Sequence, residues 1–171
     1  HSYWVIPLIL FKPFALPLGY DSAFGARFFS FAFLENSLSL LHPNWPENIF
    51  GKIYFMRPEF LMIPVIAFAS ILFLRGEKRE KKRTLLFFAL LALISAFLAK
   101  GTNEPLGIVF LWIFENIPGF ELFRDPTKFY VLIALSYAVL IPSTLLALTQ
   151  KMHRRYWAAP LFAFLLLWIV M

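Results

Sequence analysis

The stretch FRDPTKFYVLIALSYAVLIPSTLLALTQ, residues 123–150, decides the fold class of this chain. Between Phe129 and Thr149 it contains no charged side chain. At about 1.5 Å per residue, a helix of this length is about 30 Å long, which matches the hydrocarbon thickness of a bilayer. Asp125 is a favourable N-cap, and Pro126 suits the first helical position. The stretch therefore predicts a membrane-spanning helix that begins at Asp125.

The composition of the whole chain agrees with this prediction. Of its 171 residues, 60% are hydrophobic and 15% are charged, whereas soluble domains are about half apolar and about a quarter charged. We therefore predict an all-α, polytopic membrane protein with about four transmembrane helices. The chain has no cysteine, which excludes disulfides, thiolate nucleophiles, iron–sulfur clusters and cysteine-ligated zinc.

Three further apolar stretches predict transmembrane helices, at residues 60–74, at residues 85–99 and from residue 156 to Met171. The second is short for a bilayer, so we expect Thr84 and a snorkelling Lys100 to extend it. The chain begins at His1 and stops inside an apolar stretch. We therefore expect residues 1–171 to form a single transmembrane module of a longer protein, which depends on missing helices of the parent chain.

The first nineteen residues are apolar, but three prolines and a central lysine interrupt them. Each proline removes a helical hydrogen bond, so a straight helix is unfavourable. We expect a broken, interfacial or re-entrant segment, which protein or water must cover at membrane depth. An irregular spanning helix is the alternative.

Loop charges predict the orientation in the cytoplasmic membrane. Residues 75–83 contain six basic and two acidic residues, and residues 151–155 contain three basic and no acidic residues. The positive-inside rule makes both loops cytoplasmic, and residues 20–57 and 100–128 become outer loops. Because the excess of basic residues lies in the two loops that set the orientation, the isoelectric point of about 9.7 does not indicate a nucleic-acid partner. Amphipathic helices are expected on the outer face at residues 28–41 and 106–114.

The residues before and after Pro126 form the main candidate site. Arg124 and Lys128 flank a helix N-terminus, where a cation opposes the helix dipole. A bound phosphate would explain both cations, because free backbone N–H groups would converge on it as well. The alternative is interfacial anchoring, in which Asp125 neutralises one cation and Lys128 snorkels.

Two weaker candidates lie in the same outer loops. Arg57 and Glu59 flank the start of the 60–74 helix and are candidates for the same phosphate site, or form a plain helix cap with an anchoring arginine. Glu115 and Trp112 are candidates for contact with a sugar or acceptor, or belong to an amphipathic helix with one polar end. No metal site is predicted, because the histidines lack ligand spacing.

The run from Ile117 to Phe120, followed by Phe123 to Phe129, resembles the "iPGf…FR.P.KF" motif of GT-C superfamily membrane glycosyltransferases. It is most similar to the arabinofuranosyltransferase-like and YfhO-like members. The stretches around Tyr3 and Trp4, Leu34–Ser37 and Asn44–Pro46 also look like segments that those proteins place outside the membrane. The resemblance implies transfer of a sugar from a polyprenyl-phosphate donor to a glycan, lipid or protein acceptor on the extracytoplasmic face.

By this resemblance, Arg124 and Lys128 contact the lipid phosphate, and Asp125 organises the helix start. The acid/base residue of such enzymes belongs to a loop upstream of His1, so no catalytic residue is assigned and no cofactor is expected here. Two alternatives stay open. One is a transporter or flippase component for lipid-linked glycans, which the apolar spans disfavour. The other is a non-catalytic membrane scaffold.

Overall fold

The computed structural model describes residues 23–41, 56–152 and 156–170, and every regular element in these ranges is helical. The helices are α1 (Ala23–Phe28), α2 (Leu34–Leu38), α3 (Met62–Ala69), α4 (Arg79–Ala99), α5 (Gly107–Asn116), α6 (Tyr130–Lys151) and α7 (Ala159–Val170). Short 3₁₀ helices occupy Pro58–Leu61, Ser70–Phe73, Phe120–Phe123 and Pro126–Phe129. The all-α prediction is confirmed for the described residues. The predicted broken segment at residues 1–19 lies outside them.

Two helices are long and apolar enough to cross a membrane: α4, and α6 together with its leading 3₁₀ turn, Pro126–Lys151. They correspond to the predicted stretches 85–99 and 129–149. Only 33% and 28% of their most apolar windows are buried, whereas the core helix of a soluble protein is mostly buried. The other two predicted stretches form shorter apolar helices, Pro58–Phe73 and Ala159–Ile169.

The contact between α4 and α6 is the largest between any two described elements. Apart from Leu85, the buried face of α4 is made of small side chains, namely Ala89, Ala92, Ser95, Ala96 and Ala99. Larger buried side chains of α6, including Ile133, Tyr137 and Leu140, face this core. Small residues let two helix backbones approach closely, which favours van der Waals packing where the hydrophobic effect is absent.

The outward faces of the same two helices are apolar. Leucine, isoleucine, valine and phenylalanine side chains are between 49% and 71% exposed, namely Leu86, Phe87, Leu90, Leu93, Ile94, Val131, Leu135 and Leu146. A contiguous apolar surface of this kind is unfavourable in water and favourable against lipid. The faces therefore differ as a membrane helix pair requires, with small residues inside and large ones outside.

Helix α3 runs parallel to α6. The Thr144 hydroxyl donates to the Ile66 carbonyl oxygen at 2.7 Å, and the Lys151 ammonium lies 4.6 Å from the centroid of the Phe73 ring. Residues 75–83 and Lys151 therefore occupy one end of the helix bundle, which we call the basic end. The start of α6 lies at the opposite end.

The segment 23–41 differs from the predicted continuous helix over residues 28–41. It forms two short helices, α1 and α2. A capping interaction starts α2, because the Asn36 side-chain oxygen accepts the Phe33 N–H at 3.0 Å. Leu40 has a φ of +58°, which takes the chain out of the helix. Asn36 and Ser37 are buried, whereas Phe24, Phe28 and Phe33 are more than half exposed, so polar side chains of this segment face the bundle and large apolar ones face outward.

Two tyrosine hydroxyls of α6 donate hydrogen bonds to the C-terminal end of the segment 23–41. Tyr137 donates to the Leu38 carbonyl oxygen at 2.7 Å, and Tyr130 donates to the Leu41 carbonyl oxygen at 2.6 Å. Tyr137 lies eleven residues beyond Pro126, which is about 16 Å along the helix. Buried non-helical backbone is stable only if its polar groups find partners in the protein, and the two tyrosines supply them.

Replacing Tyr137 with Phe should therefore destabilise the protein. We expect a loss of about 0.6–1.7 kcal/mol, the range for interhelical hydrogen bonds in membranes, measured by SDS-induced unfolding in bicelles. The matched control is Ser143→Ala, since the Ser143 hydroxyl bonds only within its own helix, to the Val139 carbonyl oxygen. Equal losses in the two variants would contradict this role of Tyr137.

Candidate functional site

The start of α6 has the predicted cap. The Asp125 carboxylate accepts the Thr127 N–H at 3.0 Å, and Pro126 occupies the first position of the helix. An aspartate here satisfies a backbone donor and complements the helix dipole. The two assignments made from sequence, Asp125 as N-cap and Pro126 at the first position, are confirmed.

Lys128 lies one turn into this helix and is exposed. Its ammonium donates to the Leu122 carbonyl oxygen at 2.6 Å and lies 6.0 Å from the centroid of the Phe123 ring. The side chain thus folds back over the turn that precedes α6. Because this hydrogen bond is exposed to solvent, an anion can replace the carbonyl as its acceptor at small cost.

Arg124 connects the start of α6 to the segment after α1. Its guanidinium carbon lies 5.7 Å from the centroid of the Phe29 ring, within the range of a cation–π contact. The neighbouring rings Phe120, Phe123 and Phe129 stack on one another, with centroids 5.2–6.3 Å apart. Arg124 and Lys128 therefore each lie against an aromatic ring at one helix start, and we call the rings of Phe120, Phe123 and Phe129 the aromatic base.

Arg57 and Glu59 flank the start of the 3₁₀ turn before α3 and are exposed. Since α3 runs parallel to α6, they belong to the same end of the bundle as the α6 start. Neither side chain makes a hydrogen bond or ion pair with any described residue. The structure therefore places them at the predicted end but does not join them to Arg124 or Lys128.

Helix α5 presents Trp112 and Glu115 on its exposed side, with Trp112 61% exposed. Its buried side packs Phe110 against Phe120, with ring centroids 5.7 Å apart. Trp112 lies two positions from Phe110, about 200° around the helix, so it faces away from the aromatic base. These two candidates are thus separated from the Arg124 group.

Sequence reasoning missed the buried Lys100, which was expected to snorkel. Its side chain is fully buried at the C-terminus of α4. The ammonium donates to the carbonyl oxygens of Gly101 and Asn103 and lies 4.6 Å from the centroid of the Phe97 ring. A lysine there complements the negative helix end. The snorkelling prediction is wrong because protein carbonyls, and not the interface, take up the charge.

Burial lowers the pKa of the Lys100 ammonium, and the nearby Glu104 carboxylate partly opposes this effect. The folded protein therefore binds this proton more weakly than the unfolded chain does. The charged ammonium therefore lowers the free energy of unfolding at neutral pH, and this loss is relieved as the pH rises through the lowered pKa.

Asn103 joins the α4–α5 loop to the segment between α1 and α2. Its amide nitrogen donates to the carbonyl oxygens of Ser30 and Ala32, both at 2.8 Å. The Thr102 N–H donates to the Ser30 hydroxyl at 2.9 Å. Because Phe29 precedes Ser30, these bonds also fix the ring that lies against Arg124. Sequence alone gives only a weak signal for this role, an asparagine in a polar loop after a helix-ending glycine.

An apolar groove of about 480 Å³ lies along α6, between α3 and α7. Its lining includes Leu40, Ile63, Tyr137, Pro142, Phe164 and Trp168. The Tyr137 hydroxyl already donates to Leu38, so the groove offers an apolar surface. A hydrocarbon chain suits such a lining better than a polar ligand does.

Within residues 23–41, 56–152 and 156–170, no group of three His, Cys, Asp or Glu side chains is placed to hold a metal ion. Comparison with protein-family models, curated proteins and solved structures gives no match. The resemblance to GT-C glycosyltransferases therefore stays a prediction that rests on the motif residues.

The close packing at Gly101 yields a test of this site. Gly101 and Gly76 both have a positive φ, of +62° and +90°. A Cβ on Gly101 would overlap the Ser30 hydroxyl and lie 2.9 Å from Pro126 Cγ. A Cβ on Gly76 would meet no atom within 4 Å. We expect Gly76→Ala to cost about 1 kcal/mol from backbone strain alone, and Gly101→Ala at least about twice as much. Urea unfolding of detergent-solubilised protein measures both, and equal costs would contradict the packing.

Proposed function

We propose that the chain is an integral membrane protein in which α4 and α6 cross the cytoplasmic membrane antiparallel. The support is their length, their exposed apolar faces and the segregation of charge. The basic end carries residues 75–83 and Lys151, and the positive-inside rule makes it cytoplasmic. The start of α6 then faces the extracytoplasmic side, as polyprenyl-phosphate chemistry on that face requires. The shorter helices α3 and α7 complete the proposed polytopic bundle.

Cysteine labelling tests this topology directly, because the chain has no cysteine of its own. Lys78 and Glu104 are exposed and lie at opposite ends of α4. We expect a membrane-impermeant maleimide applied from outside to modify Glu104→Cys in intact cells and Lys78→Cys only after permeabilisation. Labelling of both variants from the same side would overturn the topology.

We propose further that the protein is part of a glycosyltransferase that moves a sugar from a polyprenyl-phosphate donor to an acceptor. One observation carries this proposal: a capped apolar helix starts at the end away from the basic loops, with Arg124 and Lys128 on either side of the cap. Departure of the lipid phosphate from the sugar develops negative charge on the phosphate oxygens. Two cations and the positive end of the helix dipole stabilise that charge.

Other described residues are proposed to bind the remaining parts of the substrate. The lipid phosphate lies at the α6 start, and Arg57 and Glu59 line the same end of the bundle. The apolar groove along α6 takes part of the prenyl chain. Trp112 and Glu115, on the exposed side of α5, are proposed contacts for the sugar or acceptor. No described residue is assigned as the general acid or base.

Replacing Arg124 and Lys128 together with Ala tests the assignment. We expect transfer to fall at least about a hundredfold, since removing one electrostatic donor to a developing oxyanion costs about 10²–10³ in rate. The assay follows sugar release from prenyl-phosphate-linked pentoses and hexoses by membranes that contain the full-length protein.

The matched control is Arg75→Ala with Lys78→Ala, which removes two cations from the basic end. We expect this pair to keep normal transfer. If the wild type transfers no sugar but moves the lipid-linked donor between leaflets, the flippase alternative holds. If transfer is intact without Arg124 and Lys128, the phosphate does not bind at the α6 start.

A further inference from the structure

The basic end carries cations from three separate helices. On α3 and its following 3₁₀ turn, the last strongly exposed apolar residue is Leu72, 78% exposed, and Arg75 follows three residues later. On α4, Arg83 precedes the exposed Leu86 by three residues. On α6, Lys151 follows the exposed Leu146 by five residues. Along α4 and α6, at about 1.5 Å per residue, Arg83 and Lys151 lie about 5–8 Å from these exposed apolar side chains.

A direct contact joins two of these cation-bearing segments. The Lys151 ammonium lies 4.6 Å from the centroid of the Phe73 ring, two residues before Arg75. Two basic segments that are about seventy residues apart in the sequence therefore form one surface. We call the surface made by Arg75, Lys78, Arg79, Lys82, Arg83 and Lys151 the basic collar.

Intramolecular pairing does not neutralise the basic collar. Glu77 forms an ion pair with Lys81, with Nζ and Oε1 2.6 Å apart, which uses one of the two nearby carboxylates. The other, Glu80, forms no ion pair with a described residue. Most collar residues are exposed. The collar thus presents several cations that no described carboxylate neutralises.

We propose that the basic collar binds the headgroups of anionic phospholipids in the leaflet that it faces. This inference rests on the proposed membrane insertion of α4 and α6, but not on glycosyl transfer. Topology alone requires a count of positive residues in short loops. It does not require Lys151 to meet Phe73 beside Arg75.

The position of the collar selects a lipid as its partner. A phosphate or carboxylate of a phospholipid lies just outside the hydrocarbon edge, which is the level at which the collar stands. The long stems of Lys and Arg extend along apolar surface while their charges reach this level. Clusters of four to eight cations directly beside a transmembrane helix attract anionic lipid in this way, and salt weakens the attraction.

The test uses the full chain in nanodiscs made of equal amounts of phosphatidylcholine and phosphatidylglycerol. Native mass spectrometry counts the lipids that stay bound when the protein is released. We expect phosphatidylglycerol to be enriched over phosphatidylcholine at low salt. We expect the triple variant Arg79→Gln, Lys82→Gln and Arg83→Gln to lower this enrichment at least about threefold.

A matched variant lowers the net charge by the same amount at the opposite end, with Arg27→Glu and Asn116→Asp, two exposed residues outside the proposed phosphate site. It should keep most of the enrichment, and an equal loss in both variants would show that net charge alone is responsible and would overturn the proposal. The unaltered protein gives a second test that needs no mutation. Its enrichment should fall as sodium chloride is raised, and an enrichment that is absent or independent of salt also overturns the proposal.

A protein that fails to insert into nanodiscs would instead contradict the proposed membrane topology. A protein with normal lipid enrichment but without glycosyl transfer would contradict only the proposed enzymatic function.

Discussion

The close approach of α4 and α6 governs the rest of the structure. A row of alanines on α4 removes side-chain bulk from the contact, so larger α6 side chains such as Ile133 and Leu140 fill the space between the two backbones. The large apolar residues of both helices consequently point outward. In lipid, where tails are as apolar as leucine, packing of this kind and interhelical hydrogen bonds are the forces that hold helices together. The pairing also fixes which end of each helix lies beside which, and thereby gathers charge at one end and the Arg124 group at the other.

The segment 23–41 shows how the bundle accepts irregular backbone. Its two short helices leave carbonyl groups that helical hydrogen bonds do not use. Tyr130 and Tyr137 satisfy two of these groups from α6, and the Asn103 side chain satisfies two more from the α4–α5 loop. The donors belong to elements that are already positioned by the α4–α6 contact. The segment and the long helices therefore support each other, and the aromatic base below Arg124 depends on both.

Much of the helical framework could be predicted from sequence, because hydropathy and caps are local signals. The stretches 85–99 and 129–149, the Asp125 cap and the helix at residues 106–114 correspond to observed elements. The burial of Lys100 and the role of Asn103 could not be predicted, since both depend on groups brought close by tertiary packing. For the same reason, the sequence predicts an amphipathic helix over residues 28–41 where the structure has two short helices: Asn36 and Ser37 are buried and bond to the Phe33 backbone.

The hydrogen bonds from the tyrosines to the segment 23–41 also set the order of events during synthesis. The Tyr137 hydroxyl and the Leu38 carbonyl oxygen that it contacts are 99 residues apart in the chain. At about 5–20 residues per second, a ribosome needs roughly 5–20 s to make that length. Until α6 emerges, the carbonyl groups at Leu38 and Leu41 lack their tyrosine donors and need water or another protein. The segment 23–41 can therefore complete its packing against α6 only after Tyr137 has been translated.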